Sequence, residues 1–590
     1  MLSQKELIIF MKHLKYLNKF LLKYKATLVL GLFFIVLTNI FAIYPAEFVR
    51  NALDSLIEKL NNQENKNISL VLLKYGGLIV LFAILKGIFL YMTRQTIIVM
   101  SRKIEFDLKN EVFDHYQKLS IGFYKINKTG DLMNRITEDI TKVRMYLGPA
   151  IMYSINLSVL FSLVIYKMFA VSKILSIFVL FPLPLLAISV YFVSSRINKK
   201  SERVQAQLST VTSISQESFS GIRIIKSFTN EENTFKVFFN SCKEYTNRQI
   251  DLIKIEAMFI PLIITLIGIS TVLTIYIGGL EVFKGNITTG NIAEFIIYVN
   301  MLAWPVASVG WVTSLIQRAS ASQERINEFL KNVPEIKNTN EVKTSLNSDI
   351  IFNRVSLVYS DTNIRALDNV NFKILNNKQI GIFGKTGSGK TSIVNLICRL
   401  YDVSSGNIKI NDLNLKNIDL NHLRSSIGYV PQDGYLFSGT IRENIGFSSN
   451  KINNNEIEIA AKKAEMIDEI NSFPDKFETV IGERGVQLSG GQRQRLAIAR
   501  VFYKKPEIYI FDDCLSAVDA NKEHNILENL KKETNSKTTI IISHRISTLE
   551  KSDNIIVMDE GKIIEEGTHS ELLRNNGFYS QIHVNQTNNK

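Results

Sequence analysis

Residues 379–392 read QIGIFGKTGSGKTS: an apolar stretch of strand character runs into a glycine-rich loop and then into a helical segment. The loop fits the pattern GxxxxGK[ST] and stands in the strand–loop–helix setting that this pattern requires. Its glycines let successive backbone N–H groups converge on phosphate oxygens, and the following helix adds the positive end of its dipole. The sequence therefore predicts a nucleotide phosphate site formed by Gly384, Lys385, Thr386, Gly387, Ser388, Gly389, Lys390, Thr391 and Ser392.

Two side chains of this loop and one downstream carboxylate have distinct expected roles. The Lys390 ammonium would reach the β- and γ-phosphates of ATP, and the Thr391 hydroxyl would be a ligand of Mg²⁺. Residues 507–512 read EIYIFD, an apolar strand that ends in the carboxylate of Asp512. A carboxylate at the end of a neighbouring strand is what a P-loop ATPase needs to orient its metal ion, so we expect Asp512 to be a metal residue.

The residues before position 341 have a different character, because six apolar stretches there are long enough to cross a bilayer, which takes about 20 residues. Only Lys74, Lys86 and Glu294 are charged among them. Buried core helices are the alternative, but six nearly uncharged stretches favour membrane spans. The predicted spans cover roughly 26–44, 70–92, 147–166, 174–193, 257–279 and 293–315. Lys86 is either a contact for the transported molecule or a side chain that snorkels to the interface.

The net charge of +14 follows this membrane topology. Residues 341–590 hold 31 basic and 31 acidic side chains, so the whole excess lies in residues 1–340. With the N-terminus in the cytosol, the cytosolic segments of that part carry +12, as the positive-inside rule expects. We therefore predict an integral protein of a bacterial inner or plasma membrane, with a cytosolic N-terminus and C-terminal half, and no nucleic-acid partner.

Composition also predicts the domain boundaries. We expect a basic cytosolic segment over 1–25, a transmembrane domain over 26–325, a linker over 326–348, a nucleotide-binding domain over 349–583 and a polar tail over 584–590. Residues 93–146 and 194–256 keep helical spacing of apolar side chains with charges between them. They are typical of spans that continue past the membrane and turn back.

The pentapeptide LSGGQ at residues 488–492 opens a helical segment, where a serine and two glycines make a second anion site. With this motif the sequence resembles the ATP-binding-cassette family, whose signature it is, and the resemblance covers nearly the whole chain. It implies an α-helical membrane domain with six transmembrane helices extended into the cytosol, fused to an α/β P-loop ATPase domain. It also implies that two cassettes meet head to tail, so that Ser489, Gly490, Gly491 and Gln492 close over the partner's ATP.

The resemblance assigns further roles. It implies that Tyr359 stacks on adenine, that Gln432 senses Mg²⁺, that Asp519 lies in the loop linking the two sites, and that His544 binds the γ-phosphate. Residues 482–485, GERG, resemble the coupling loop of exporters, and the membrane half resembles type I exporters of the multidrug-resistance and lipid-flippase branch. Six spans and one cassette make a half-transporter, so the implied partners are a second half-transporter, the bilayer, and a hydrophobic or amphipathic substrate.

One position departs from the family pattern. Asp513 stands where active cassettes carry a glutamate as general base, and losing one methylene withdraws the carboxylate by roughly 1.5 Å. We therefore expect slow hydrolysis at this chain's own site with ATP binding intact. A heterodimer in which this subunit is catalytically weakened, a homodimer in which Asp513 still works, and an ATP-gated regulatory or channel-like member all remain open. The fusion of spans with a cassette argues against an importer, and the spans exclude a soluble DNA-repair ATPase.

Overall fold

The computed structural model describes residues 12–61, 68–338, 342–449, 451–482, 488–516, 518–534 and 536–588. The chain folds as two compact units. The N-terminal unit comprises Met1–Gln117 and Gly130–Asn332, and the C-terminal unit comprises Lys118–Thr129 and Val333–Lys590. The short segment Lys118–Thr129 therefore belongs with the C-terminal half, although it lies between two stretches of the N-terminal unit in the sequence.

Besides the 3-10 helix Lys15–Leu17, nine helices with both ends in the described residues precede residue 331. They are α1 (Asn18–Lys23), α2 (Lys25–Asn61), α3 (Ile68–Lys118), α4 (Ile121–Ile126), α5 (Thr129–Val171), α6 (Lys173–Ser220), α7 (Ile222–Ser227), α8 (Glu231–Phe283) and α9 (Thr289–Leu330). Helices α2, α3, α5, α6, α8 and α9 are long and apolar enough to cross a membrane, and each contains one predicted span. At 51 residues, α3 is about 75 Å long, well beyond a hydrocarbon core of about 30 Å. The expected six-helix domain, extended past the membrane, is confirmed.

A buried ion pair links α2 to α9 inside the N-terminal unit. The Arg50 guanidinium donates to the Glu294 carboxylate over 3.0 Å, and Glu294 is only 1% exposed. Tyr298 donates to the same carboxylate over 2.8 Å, and Asn291 donates to it over 3.3 Å. These three donors compensate the cost of burying Glu294, one of the charges that interrupt the predicted spans.

We expect Glu294→Ala to lower the melting temperature of the protein, because the change leaves Arg50 without its carboxylate in a poorly solvated place. Breaking a fully buried pair from one side typically costs about 3–5 kcal/mol, and we expect a smaller loss here because the Arg50 side chain is 26% exposed. Scanning fluorimetry of the detergent-solubilised chain measures the effect, with Glu328→Ala as the control, since Glu328 is exposed on the same helix. Equal melting temperatures for the two variants would show that the pair contributes no stability.

The C-terminal unit contains twelve strands in its described residues: β1 (Ile350–Val358), β2 (Arg365–Ile374), β3 (Gln379–Gly384), β4 (Ser405–Ile410), β5 (Leu413–Asn414), β6 (Ile427–Val430), β7 (Gly439–Thr440), β8 (Val480–Ile481), β9 (Ile508–Asp512), β10 (Thr538–Ser543), β11 (Asn554–Asp559) and β12 (Lys562–Gly567). A four-stranded antiparallel sheet has the order β2-β1-β4-β5. A six-stranded sheet has the order β12-β11-β3-β10-β9-β6 and is parallel except for β12.

Helices separate most of these strands. In chain order they are α10 (Lys390–Ile397), α11 (Leu420–Ser426), α12 (Ile441–Ile445), α13 (Asn454–Lys463), α14 (Ile467–Ser472), α15 (Gly490–Lys504), α16 (Ala520–Glu533), α17 (Ile546–Leu549), α18 (His569–Arg574) and α19 (Phe578–Asn588). The predicted α/β ATPase fold is confirmed. Helix α19 covers most of the segment expected to be a polar tail.

The order of the six-stranded sheet determines where the functional side chains lie. Strands β9 and β10 are buried along their whole length, because apolar clusters cover both faces of the sheet. Strand β10 pairs in parallel with β3 on one side and with β9 on the other. The carboxyl ends of three adjacent parallel strands therefore meet at one edge, which is where α/β sheets bind ligands.

Candidate functional site

The glycine-rich loop follows β3 and has the backbone that its sequence predicts. Gly387 and Gly389 have φ angles of +87° and +98°, and Gly389 immediately precedes α10. Space is also restricted, since a Cβ on Gly384 would lie 2.4 Å from the carbonyl oxygen of Met558. Only glycine combines these conformations with this approach of two backbones.

Three observations at this loop fit a bound phosphate chain. The Lys390 ammonium donates to the carbonyls of Gly384 (2.8 Å) and Lys385 (2.7 Å), so it is held at the mouth of the loop by weak partners. Burial lowers the pKa of Lys390, an effect that an anion beside the ammonium would oppose. The Ser388 hydroxyl is buried and has no hydrogen-bond partner among the described residues. ATP therefore fits the residues present.

Two of the three predicted metal residues, Thr391 and Asp512, lie side by side, whereas the third, Gln432, contacts Asp513. The Thr391 hydroxyl donates to Oδ1 of Asp512 over 3.3 Å, and Asp512 is 2% exposed at the end of β9. Tyr429 on β6 donates to Oδ2 of Asp512 over 3.4 Å. Burial raises the pKa of Asp512, which a bound divalent cation would reverse. A hydroxyl and a carboxylate are oxygen ligands of the kind Mg²⁺ prefers, so the donor set fits this ion.

Asp513, His544 and Gln432 form a second cluster beside the first. The Nδ1 atom of His544 lies 2.9 Å and 3.0 Å from the two carboxylate oxygens of Asp513, and the Gln432 amide donates to Asp513 over 3.5 Å. Asp513 follows β9 and His544 follows the neighbouring β10, so strand pairing brings them together. The backbone at Asp513 is left-handed, with φ of +47°, and its N–H donates to the carbonyl of Ile542 over 2.9 Å.

Tyr359 lies just beyond β1 and is half-buried. Its hydroxyl is 2.9 Å from the Ser392 hydroxyl on α10, and its ring meets the Tyr401 ring edge-on at 5.0 Å. The Lys125 ammonium of α4 lies 4.8 Å from the centre of the Tyr359 ring and 5.2 Å from that of Tyr401. Ser120, just before α4, donates to Glu335 over 3.3 Å. The segment Lys118–Thr129 thus packs beside the predicted adenine residue.

The signature forms the exposed N-terminus of α15. Ser489 accepts a hydrogen bond from the Gln492 N–H (3.3 Å), and the Gln492 side chain accepts one from the Ser489 N–H (2.9 Å), which makes a capping box. Gly490 and Gly491 form the first turn. Among the described residues, no hydrogen bond joins the signature to the glycine-rich loop of the same chain. A signature set apart from the loop of its own chain is what the predicted head-to-tail dimer would require.

Asp519 also lies outside the cluster of Asp513, His544 and Gln432. It is exposed and caps α16 by accepting a hydrogen bond from the Asn521 N–H over 3.0 Å. Of the GERG segment, Gly482 is described, whereas 483–485 lie outside the described residues.

The motifs do not predict the contact between Tyr429 and the metal residue Asp512. The one available signal is position, because Tyr429 lies three residues before Gln432. Gln432, His544, Tyr359 and the loop residues lie where the motifs predicted, and their roles remain predictions.

Comparison with known proteins agrees with this geometry. The family model described as "ABC transporter transmembrane region" matches residues 28–306, and the model described as "ABC transporter" matches residues 367–516. The chain is 33% identical over 578 residues to the probable multidrug resistance ABC transporter ATP-binding/permease protein YheI of Bacillus subtilis, covering 97% of each chain. This chain belongs to the ABC transporter family.

Two further similarities are to a lipid transporter and to the fold of a solved exporter. It is 32% identical over 540 residues to the ATP-dependent lipid A-core flippase of Syntrophus aciditrophicus, covering 91% of this chain and 88% of that protein. Its fold matches that of a bacterial Atm1-family ABC exporter with ATP bound, with a TM-score of 0.79 and 22% identity over 95% of this chain and 98% of that one. The expected ATPase activity and half-transporter architecture are confirmed, and a half-transporter works as a dimer in a membrane.

Proposed function

We propose that this ABC transporter uses ATP to move a hydrophobic or amphipathic molecule, such as a drug or a lipid, across a bacterial inner or plasma membrane. The relatives named as multidrug and lipid A-core transporters support this substrate class. The six spans support it as well, since only three charged residues interrupt them. Alternating access in a dimer would couple the two ATP sites to the spans.

At the ATP site, each group of this chain has a separate task. Lys390 exchanges the two carbonyls it now contacts for phosphate oxygens, and the N–H groups of the loop add further donors. Thr391 and Asp512 hold Mg²⁺, and Gln432 is close enough to the cluster to respond to it. Held by these residues, Mg²⁺ would supply positive charge that offsets the negative charge developing on the phosphates.

The pair Asp513–His544 carries the hydrolysis proposal. With the Nδ1 proton of His544 directed at Asp513, the Nε2 atom of the neutral imidazole can accept a hydrogen bond from the attacking water, and it donates to the γ-phosphate only when the imidazole is protonated. The carboxylate orients the imidazole, as in other carboxylate–histidine pairs. Because Asp513 is shorter than the usual glutamate, it is a less effective base, and we expect slow turnover at the site built on this chain. The exposed signature would complete the site of a partner, in either a homodimer or a heterodimer.

Transport by inside-out proteoliposomes containing the full chain tests the proposal. If the chain forms a homodimer, we expect ATP-dependent accumulation of an amphipathic dye such as Hoechst 33342, which stops when vanadate is added. Lys390→Ala is the control, because it removes the phosphate contact and leaves the spans unchanged. Dye movement that is the same without ATP and in the Lys390→Ala variant would instead favour a channel-like protein. Adding a second half-transporter to the membrane distinguishes the two kinds of dimer, since a heterodimer transports only when both chains are present.

A further inference from the structure

The loop that carries His544 is held from outside the nucleotide site by Gln586 on α19. The Gln586 amide donates to the carbonyl of His544 over 2.8 Å, and the N–H of Ile546 donates to the Gln586 carbonyl over 3.0 Å. One side chain thus satisfies two backbone groups on either side of Arg545. A primary amide supplies this donor and this acceptor side by side on one planar group.

Helix α19 is a rigid support for this contact because its other end is anchored in the core. Tyr579 is fully buried, its ring meets that of Phe383 edge-on at 5.4 Å, and its hydroxyl lies 2.9 Å from Nδ1 of His569. The Glu565 carboxylate accepts hydrogen bonds from the N–H groups of Phe578 and Tyr579, which caps the helix. Gln586 lies seven residues after Tyr579, two turns along the same face.

The rest of the loop is fastened through the side chain of Arg545. Its guanidinium donates to the carbonyl of Ser516 over 2.8 Å and to the carboxylate of Glu523 over 3.2 Å. These contacts hold Arg545 but leave the His544 carbonyl and the Ile546 N–H to Gln586. Without Gln586, water would replace both partners and the loop would have more freedom. A displacement near 1 Å of a reacting group can cost about 10²-fold in rate.

We propose that Gln586 is a positioning residue for His544. It fixes the backbone of the loop so that the imidazole meets Asp513, and it thereby sets the rate of ATP hydrolysis without touching the nucleotide. The proposal rests on the role given to His544 under the proposed function. It assigns a specific task to the last turns of α19, within the segment where the sequence predicts only a polar tail.

Single-turnover hydrolysis of radiolabelled ATP by the full-length chain tests the inference, because it follows even slow reactions. We expect Gln586→Ala to lower the rate constant by about 10-fold, a fraction of the loss that a full 1 Å displacement causes. The ATP affinity should stay unchanged. Gln586→Glu keeps the acceptor for the Ile546 N–H but sets a carboxylate oxygen against the His544 carbonyl, which repels it, so its rate should fall at least as far as that of Gln586→Ala. Gln581→Ala is the matched control, being the same change at an exposed site of the same helix.

Combining Gln586→Ala with His544→Ala separates the positioning role proposed for Gln586 from the role proposed for His544. If Gln586 acts through His544, adding Gln586→Ala to His544→Ala causes no further loss of rate. The inference is overturned if the double variant loses the product of the two single losses of rate. It is also overturned if Gln586→Ala weakens ATP affinity and leaves the rate unchanged. Wild-type hydrolysis by His544→Ala overturns the role proposed for His544 itself. If His544→Ala is slow but Gln586→Ala is fully active, the inference about Gln586 is wrong and the role proposed for His544 stands. A melting temperature for each variant shows that a lower rate does not come from unfolding.

Discussion

Asp513→Glu is expected to raise the rate of ATP hydrolysis by the purified chain by up to about 10²-fold. The longer side chain places its carboxylate nearer the attacking water, and a general base must come within about 3 Å of the proton it takes. In the wild type the carboxylate is instead engaged by His544 at 2.9 Å and by Gln432 at 3.5 Å. The gain should appear in kcat with little change in KM, because the substitution leaves the glycine-rich loop intact.

Asp513→Asn completes this experiment. It keeps the size of the side chain and removes its basicity, so the remaining hydrolysis should fall while ATP still binds. The left-handed backbone at this position, with φ of +47°, suits aspartate better than glutamate, so part of the gain is offset by strain. Brisk hydrolysis by the wild type with no increase in Asp513→Glu would contradict a weakened site. It would favour a homodimer in which the Asp513–His544 pair is fully competent.

Lys390→Ala is expected to reduce the affinity for ATP by about 30-fold to 10³-fold or more. Truncating one partner of a buried charge pair typically costs about 2–5 kcal/mol, and each 1.4 kcal/mol is a factor of ten. Lys390 is partly buried at the mouth of the loop. Among the described residues, its ammonium is the one that donates hydrogen bonds to the carbonyls of Gly384 and Lys385. Titration with a fluorescent ATP analogue measures the loss directly.

Lys385→Ala is the matched control for this prediction. Lys385 belongs to the same loop, but it is exposed, and its ammonium lies 5.1 Å from the centre of the Phe578 ring. Removing it changes the net charge by the same amount without removing the predicted phosphate contact. Equal losses of affinity in the two variants would mean that general electrostatic attraction, and not a specific contact by Lys390, holds the nucleotide.

The motifs predicted the local parts of the site because each motif includes its own secondary structure. The glycine-rich loop links β3 to α10, and LSGGQ opens α15. The contact between Asp513 and His544 spans 31 residues and depends on the pairing of β9 with β10. Such pairing between distant segments follows from the whole sheet and has no local signal. Gln586 could not be predicted either, since a single glutamine in a polar stretch matches no pattern.

In the membrane part, too, local features were predictable from the sequence and contacts between distant segments were not. Apolar length predicted six long helices, because crossing a bilayer imposes that length on each span. The pairing of Arg50 with Glu294 was not predictable, since Arg50 lies outside the predicted spans and 244 residues away.

The place of Lys118–Thr129 in the C-terminal unit has a practical consequence for domain excision. A fragment beginning at residue 333 would lose this segment, although the segment is part of the same compact body. Its removal would take the Lys125 ammonium from the rings of Tyr359 and Tyr401 and would leave Glu335 without Ser120. Nucleotide affinities measured on such a fragment would describe altered surroundings of Tyr359, the predicted adenine residue. A faithful soluble version of the ATPase would carry residues 118–129 as a fused or added peptide.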